Sequence, residues 1–423
     1  MPDLRPFRAL RFHPPAGDLS KLLAPPYDVI APQQAGSLRE LHRTNSVHLV
    51  LPEGEVPERY ELAARTLGDW IESGILELDP EPTVTVYRQS FSESEGTVTR
   101  HALFVALELS PFGEGEVLPH ERTHSGPKRD RLALTLATRT QLSPVFLTTR
   151  DEDGELLSAL RAVTRDSDPD YRAATADGIT HAVWKIADPD TCERLCRAAG
   201  GGPLLIADGH HRYETALEVR RQIGANVPAA GKVLACVVSG EDPGLRIQPT
   251  HRVLMGPPPG ATGEGWIERL RESFTLHPIA NRQAGPDALA AEAERTGSPV
   301  LVTAEGAWRL QPEPKVASDA GLDQYDLAIP SVVLDRLVVE AIVGLDADAA
   351  AHAGRLVYVR DPEEAISAAG TPGAAFLLPA VDPAAVWTVT GLGRRLPPKS
   401  TYYEPKIPSG LLFRPLDGPE AEA

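Results

Sequence analysis

The chain has 423 residues, enough for two or three compact units of ordinary domain size. Hydrophobic residues make up 42% and charged residues 24%, so the composition excludes a wholly disordered or fibrous chain. Lys and Arg number 42 against 59 for Asp and Glu, and the resulting net charge of −17 disfavours nucleic acid and anionic membranes as partners. An anionic ligand therefore needs a local basic pocket.

The cysteines and the apolar segments indicate the compartment. Cys192, Cys196 and Cys236 do not form a CxxC or zinc-knuckle pattern, so we expect reduced thiols and a cytoplasmic protein. The first 12 residues lack a continuous apolar segment, which disfavours a secretory signal. The most apolar long stretch, 329–345, contains charged residues, so no membrane span is predicted.

The first predicted elements are a helix and two strands. Apolar residues recur on one helical face over 58–73, and Gly74 ends the pattern. The predicted core-facing residues are Leu62, Ala63, Leu67, Trp70 and Ile71. Two strands follow at 84–88 and 101–109, with a turn near Glu95-Gly96.

The charged segment 118–129 contains His120-Glu121-x-x-His124. On a helix this pattern places two imidazoles around zinc, with the glutamate as general base. Gly126-Pro127 disfavours a helix directly after His124, so we predict a loop here.

A helix is then predicted over 130–140, followed by a strand over 145–148. Within the loop, Glu121 is a carboxylate flanked by cations, suited to accept a hydroxyl proton or hold Mg²⁺. Lys128, or alternatively Arg129, would neutralise a transferring phosphate. An ordinary solvated loop is the alternative.

A strand, a glycine turn and a helix are predicted at 204–207, Asp208-Gly209 and 210–223. The start of a helix offers free N–H groups and the positive end of its dipole. Cations in the first turn oppose that dipole and therefore indicate an anionic ligand. The predicted phosphate site consists of Asp208, Gly209, His210, His211 and Arg212. The alternative is that Asp208 caps the helix and the cations are solvated.

The remaining segments carry weaker signals. Lys399, Ser400 and Thr401 can contact phosphate by charge and by hydroxyl donors, and His251-Arg252 is another possible anion contact. The linker at 256–263 divides the chain into parts 1–255 and 256–423. A helix over 329–343 and strands at 355–359 and 375–378 are predicted in the second part.

Five segments together resemble the bacterial domain-of-unknown-function family 1015. They are PFRALRF (6–12), APPYDVI (24–30), LPHERTHSGPKRDRL (118–132), ADGHHRYETAL (207–217) and PPKSTYYEPKIPSGL (397–411). This resemblance spans nearly the whole chain, but the family name conveys no activity.

The DGHHR segment also resembles the phosphate-binding turn of the ParB/sulfiredoxin superfamily, and most closely that of the archaeal free-serine kinases. Those kinases carry a Pro-His-Glu segment with the catalytic glutamate, matched here by His120 and Glu121, and a Pro-Lys-Thr-Thr segment, matched by Lys399, Ser400 and Thr401. Tyr402 stands where the kinases have arginine.

The resemblance implies an α+β fold with a ParB/sulfiredoxin-like mixed-sheet nucleotide-binding core and a smaller α/β C-terminal part. Its Lys399 segment would return to the cleft of the first part. The implied activity is phosphoryl transfer from ATP or ADP, with Mg²⁺ on Glu121 and Asp208, to a small hydroxyl acceptor. Free L-serine is the first candidate acceptor.

Two other functions remain as hypotheses. One is a nucleotide-gated, ParB-like binding switch, which the net charge of −17 and the absence of a basic helix-turn-helix stretch disfavour. The other is a zinc hydrolase that uses His120, Glu121 and His124.

Overall fold

The computed structural model describes residues 1–13, 16–93, 96–121, 125–260, 265–279 and 285–417. The strands are β1 (Leu4–Arg5), β2 (Leu10–Phe12), β3 (Leu76–Leu78), β4 (Val84–Glu93), β5 (Gly96–Glu108), β6 (Val117–Pro119), β7 (Thr140–Gln141), β8 (Val145–Thr149), β9 (Tyr171–Ala174), β10 (Thr180–Ile186), β11 (Leu204–Asp208), β12 (Lys232–Ser239), β13 (Arg246–Gln248), β14 (His251–Leu254), β15 (Phe274–Pro278), β16 (Val300–Thr303), β17 (Gly306–Pro312), β18 (Leu356–Val359), β19 (Ala374–Leu377), β20 (Tyr402–Glu404) and β21 (Arg414–Pro415).

The α-helices are α1 (Pro32–Leu41), α2 (Val47–Val50), α3 (Glu58–Glu72), α4 (Ser125–Thr138), α5 (Glu155–Asp166), α6 (Pro189–Ala199), α7 (His210–Ile223), α8 (Trp266–Leu270), α9 (Pro286–Thr296), α10 (Pro314–Asp319), α11 (Gln324–Leu327), α12 (Pro330–Leu334), α13 (Ala347–His352), α14 (Pro362–Ala369) and α15 (Pro383–Gly391). Short 3₁₀ turns lie at Leu19–Lys21, Tyr27–Val29 and Pro228–Gly231, and a π-helix extends over Asp335–Val343.

The chain forms two compact units. Unit 1 contains 1–119, 123–246 and 405–423, and unit 2 contains 120–122 and 247–404. The C-terminal segment belongs to unit 1 because Phe413 bridges to Leu10 and β21 pairs with β7. These units therefore divide the chain differently from the predicted parts 1–255 and 256–423.

Unit 1 contains a mixed sheet with the strand order β6-β11-β8-β12-β5-β4-β10-β9, and β1 pairs with β5 outside this path. β11 is parallel to β6 and antiparallel to β8, whereas β12 is parallel to β8. The core includes apolar residues from these strands together with residues of α5, α6 and α7. The predicted α+β class with a mixed sheet is confirmed; its membership of the ParB/sulfiredoxin superfamily stays a prediction.

Unit 2 contains a six-stranded sheet with the order β15-β17-β16-β19-β14-β18. The pairs within it are antiparallel. The expectation of an α/β arrangement in the C-terminal part was therefore wrong, because the short strands pair as antiparallel neighbours rather than through parallel crossovers. Among the helices formed by described residues in both units, none has the length and apolar character that a membrane crossing requires.

Helix α3 is present, but its buried face differs from the predicted one. The buried residues are Tyr60, Ala63, Leu67 and Trp70, whereas Leu62 and Ile71 are exposed. The observed residues follow one another at intervals of three or four, so they form one narrow stripe of the helix. Leu62 lies next to Ala63, about 100° away around the helix, and is thus turned toward solvent.

Helix α4 begins at Ser125, five residues before the predicted start at residue 130. The Gly-Pro pair at 126–127 therefore lies in the first helical turn rather than in a loop. Proline is compatible with this turn because its missing N–H would have no intrahelical acceptor there. The predicted helical stretch over 329–343 is present over 330–343, but it changes from α-helix to π-helix after Leu334.

Candidate functional site

The predicted strand, turn and helix around Gly209 are present in unit 1. β11 ends at Asp208, α7 begins at His210, and the Gly209 between them has φ +96°. That left-handed conformation favours glycine. A Cβ atom added to Gly209 would also lie only 2.9 Å from Nε of Arg212. Glycine is therefore needed both for the turn and for the close approach of the guanidinium.

Asp208 lies at the centre of an ion network in unit 1. Its Oδ2 binds the guanidinium of Arg212, which also donates to the carbonyl of Pro144. Its Oδ1 lies 2.7 Å from Nζ of Lys406. Burial alone would raise the pKa of Asp208, but Lys406 and Arg212 outweigh this and hold that pKa well below its usual value. Asp208 is therefore a carboxylate stabilised by two cations.

This network changes the interpretation of the helix start. From the sequence, Arg212 was expected to need an external anion, whereas its side chain is only 9% exposed and already binds Asp208. The alternative that Asp208 caps α7 is not supported either, because the N-cap residue is Gly209 and the Asp208 carboxylate forms ion pairs with Arg212 and Lys406. The prediction of an anion site at this helix start therefore depends first on the backbone N–H groups in the first turn of α7.

The two histidines of the turn occupy different environments. His210 is 8% exposed, and His211 is half-buried. Successive residues of a helix are rotated by about 100°, so two adjacent imidazoles cannot face the same point. Phosphate binding by either histidine remains a prediction.

Tyr27 and Arg131 lie beside Arg212 in unit 1. The guanidinium of Arg131 stacks on the Tyr27 ring with its carbon 4.0 Å from the ring centroid. Burial and the nearby Asp28 raise the pKa of the Tyr27 hydroxyl. Tyr27, Arg131, Arg212 and Thr215 line a small cavity of about 50 Å³. Arg131 is thus a second arginine, besides Arg212, close to the start of α7.

Lys128, predicted to neutralise phosphate, forms an ion pair in unit 1. Its Nζ lies 2.6 Å from Oε2 of Glu214. Lys128 belongs to α4 and Glu214 to α7, so the pair joins two packed helices. A catalytic role for Lys128 stays a prediction.

His120 and Glu121 lie beside the Lys399 segment in unit 2. His120 Nε2 and Thr401 Oγ1 share a hydrogen bond of 2.6 Å, and the His120 carbonyl accepts one of 2.7 Å from Leu396 N–H. Oε1 of Glu121 accepts a 3.1 Å hydrogen bond from the backbone N–H of Lys399. Two segments separated by almost 280 residues thus form one cluster.

Ser400 and Arg252 support the same segment. The Ser400 hydroxyl donates to the Pro397 carbonyl at 2.7 Å and bonds with the Ser331 hydroxyl at 2.8 Å. Arg252 is 1% exposed and donates to the carbonyls of Lys399 and Pro398 at 3.0 and 3.1 Å. The expectation that Arg252 offers an anion contact was therefore wrong, because its guanidinium is directed at peptide oxygens.

The metal-binding hypotheses have limited support. Within the described ranges, no group of three His, Cys, Asp or Glu side chains is arranged around a common metal position. His124, the second imidazole of the zinc pattern, lies outside the described residues. Asp208 does not fit Mg²⁺ well because Arg212 and Lys406 already balance its charge.

Two residues of these clusters were not identified from the sequence. Lys406 belongs to a segment used for the family resemblance, and Arg131 follows the charged loop, but neither has a local pattern that identifies its partner. Lys406 meets Asp208, which precedes it by 198 residues, and Arg131 meets Tyr27. Contacts between residues so distant in the sequence can be identified only from the tertiary structure.

Comparison with known proteins gives a family and several distant structural similarities. None of the curated proteins matches the chain significantly. A free serine kinase mutant bound to ADP is 13% identical, with a TM-score of 0.36, over 70% of this chain and 89% of that chain. A free serine kinase bound to AMP gives the same identity and coverage with a TM-score of 0.35.

A C-terminally truncated SbnI from Staphylococcus aureus is 12% identical, with a TM-score of 0.36, over 71% of this chain and 84% of that chain. The family model described as a protein of unknown function, DUF1015, matches residues 4–337, which is most of the chain. This protein therefore belongs to the DUF1015 family.

Proposed function

We propose that the protein is a nucleotide-dependent kinase that transfers a phosphoryl group to the hydroxyl group of a small molecule. ATP or ADP is the proposed donor. Free L-serine is the first acceptor to test because the His120-Glu121 and Lys399-Ser400-Thr401 segments resemble those of free-serine kinases.

The observation that carries this proposal is the hydrogen bond between Glu121 and the Lys399 backbone in unit 2. The neighbouring bond between His120 and Thr401 joins the same two segments a second time. Both segments resemble motifs of the free-serine kinases, and they lie far apart in the sequence. Their association supports a shared chemical role.

Glu121 is the proposed general base. It would accept the proton of the acceptor hydroxyl as that oxygen forms a bond to the terminal phosphorus of the nucleotide. The bond from phosphorus to the bridging oxygen breaks, and the shortened nucleotide leaves with its electron pair. His120 would help to fix this region through Thr401.

The start of α7 is the proposed phosphate-binding element. Gly209, His210 and His211 would present backbone N–H groups, and a helix of 14 residues adds the positive end of its dipole. Arg212 is held by Asp208, which in turn binds Lys406. Side-chain contributions of Lys128, Lys399, Ser400 and Thr401 to phosphate binding remain part of the proposal.

Magnesium would neutralise charge on the transferring phosphate. Mg²⁺ usually keeps several waters and uses one or two carboxylates together with substrate phosphates, so a complete protein cage is unnecessary. We propose Glu121 as the better candidate ligand of the two predicted carboxylates, because Asp208 is engaged by two cations.

Phosphorus NMR of the full chain with L-serine, Mg²⁺ and either ATP or ADP tests the proposal. We expect an O-phosphoserine signal with the wild type and with Glu363→Gln, a control substitution at an exposed residue of α14. Glu121→Gln should lose the signal while a nucleotide-induced thermal shift persists.

Other outcomes are equally informative. Nucleotide turnover without O-phosphoserine would exclude serine and direct the search to other hydroxyl compounds or to a nucleotide-gated switch. A signal retained by Glu121→Gln would remove Glu121 from the role of base. Absence of both turnover and thermal shift in the wild type would reject the kinase proposal.

A further inference from the structure

Arg252 is a buried cation of unit 2 whose hydrogen bonds go to backbone carbonyls. It lies on β14, is 1% exposed, and donates through one terminal nitrogen to Thr250 and Lys399 and through the other to Pro398. The planar guanidinium can reach two successive carbonyls in a fixed geometry, which a single ammonium group cannot reproduce. Arg252 therefore sets the orientation of the peptide groups around Lys399.

Lys399 connects this cation to Glu121 through its own backbone. Its N–H donates to Oε1 of Glu121 at 3.1 Å, and its C=O accepts from Arg252 at 3.0 Å. Lys399 has φ +58°, a left-handed backbone conformation that is uncommon for residues other than glycine. The backbone of one residue thus lies between a carboxylate and a guanidinium.

The surroundings of Arg252 restrict its movement. Its guanidinium carbon lies 5.1 Å from the centroid of the Tyr358 ring, and Ser331 holds the neighbouring Ser400 by a hydrogen bond of 2.8 Å. Asp335 lies one helical turn after Ser331, and its charge acts on Arg252 and Tyr358 without a direct ion pair to either. These contacts come from β14, β18 and the segment 330–343.

We propose that Arg252 is a positioning residue that acts through the Lys399 peptide to hold the Glu121 carboxylate in its reactive orientation. This inference rests on the proposed role of Glu121 in phosphoryl transfer. Arg252 itself would touch neither the nucleotide nor the acceptor.

The proposal predicts a specific kinetic change. Without the hydrogen bonds from Arg252 to the carbonyls of Pro398 and Lys399, the Lys399 peptide would hold Glu121 less firmly in place. Misplacement of a catalytic group by about 1 Å costs roughly 100-fold in rate. We expect Arg252→Lys to lower kcat roughly 10- to 100-fold while the KM for nucleotide changes less than about twofold.

The contrast between kcat and KM supplies a readout that general destabilisation would not produce. Partial unfolding lowers kcat only in proportion to the folded protein lost, which thermal unfolding measures, whereas a misplaced carboxylate lowers the kcat of fully folded protein. His120 and Lys399 flank Glu121, while Tyr358 and Arg252 face this part of the cluster from β18 and β14. Tyr358→Phe serves to separate the effect of the tyrosine hydroxyl from that of the guanidinium.

The experiment compares Arg252→Lys with Arg336→Lys in the full chain, using the phosphorus NMR assay and thermal unfolding. Arg336 is an exposed arginine paired with Glu340, outside the proposed machinery, and should retain wild-type kinetics. An unchanged kcat in Arg252→Lys would overturn the positioning role, even if Glu121→Gln is inactive. An inactive wild type would overturn both proposals.

Substitution of Lys399 keeps the test valid if Arg252→Lys fails to fold. Lys399→Gly preserves the peptide groups and favours positive φ, whereas Lys399→Val disfavours that conformation. Both variants lack the lysine side chain, so their comparison isolates the backbone, and we expect the kcat of the valine variant to be at least roughly tenfold below that of the glycine variant. Equal kcat values for the two variants would contradict an action through the peptide orientation.

Discussion

The ammonium group of Lys406 lies 2.7 Å from Oδ1 of Asp208, a residue that precedes it by 198 positions. The same carboxylate binds Arg212 in the first turn of α7. A residue from the C-terminal segment thus helps to fix the predicted phosphate turn. This relationship makes the ion network testable separately from catalysis.

Lys406→Met should lower the free energy of unfolding by about 2 kcal/mol, because it removes a charge-assisted hydrogen bond to a largely buried carboxylate. Chemical denaturation at pH 7 measures the change. Lys21→Met, at an exposed residue, is the matched control and should remain within about 0.5 kcal/mol of wild type. Equal losses in the two variants would contradict a stabilising role for the Lys406 ion pair.

Asp208→Asn should reduce the dependence of stability on acidic pH. Lys406 and Arg212 hold the folded-state pKa of Asp208 below its unfolded value, so the ionised group stabilises the fold above the ordinary aspartate range. That contribution is lost as the pH falls through this range toward the lowered pKa. Wild type should therefore lose more unfolding free energy between pH 6 and pH 3 than the asparagine variant, as denaturation curves can measure.

Gly209→Ala should lower stability by about 1–2 kcal/mol and weaken the nucleotide-induced thermal shift. The substitution places a Cβ atom at φ +96° and 2.9 Å from Nε of Arg212. Gly68→Ala in α3 is the control, since a Cβ there has no neighbour within 4 Å and helix propensity favours alanine by about 1 kcal/mol. Wild-type unfolding and nucleotide shift in Gly209→Ala would contradict the requirement for glycine.

Asp335→Asn should stabilise the protein at pH 8 by about 2–3 kcal/mol and much less at pH 4. Burial raises the pKa of Asp335 to about 6, although Arg252 acts in the opposite direction. Its two carboxylate oxygens are buried without hydrogen-bond partners among the described residues. Ionisation therefore destabilises the fold progressively as the pH rises from about 4 through 6.

Thermal unfolding of wild type and Asp335→Asn at pH 4 and pH 8 tests whether the stabilisation increases with pH. Asp319→Asn, at an exposed residue of α10, should change stability little at either pH. A stabilisation by Asp335→Asn that is equal at pH 4 and pH 8 would show that the effect does not come from ionisation.

The three cysteines should react slowly with a disulfide reagent in the native protein at pH 8. Cys192, Cys196 and Cys236 are buried free thiols, and burial raises the pKa of both Cys196 and Cys236 to about 12. The thiolate is the reactive form, so both access and ionisation are unfavourable. Each cysteine that reacts releases one coloured thiol from the reagent, and we expect three per chain in denaturant. Rapid release from the native protein would contradict the burial of these cysteines.

Local sequence patterns were sufficient for elements whose signals lie within one segment. The apolar residues 204–207, the glycine at 209 and the helical residues before Gly224 predicted β11 and α7 closely. The α+β class was expected from the family resemblance rather than from these local patterns. In α3, the period identified the helix but not which flank of the apolar stripe, Leu62 or Tyr60, faces the core.

Partners distant in the sequence could not be predicted from local chemistry. Arg212 looked like a phosphate ligand because nothing adjacent in the sequence revealed Lys406 or the carboxylate geometry of Asp208. Arg252 looked like a surface anion contact because its carbonyl acceptors are contributed by residues near 398. The start of α4 was missed because a proline that interrupts a helix interior is acceptable in its first turn.

The assignment of residues 405–417 to unit 1 imposes an order on biosynthesis. As the nascent chain leaves the ribosome, β7 has no partner and Asp208 lacks one of its cations until residues 406 and 414 have been added. Translation of 247–404 delays that moment by roughly ten to thirty seconds at about 5–20 residues per second. The turn around Gly209 therefore acquires its full set of ionic contacts only after residue 406 has been added.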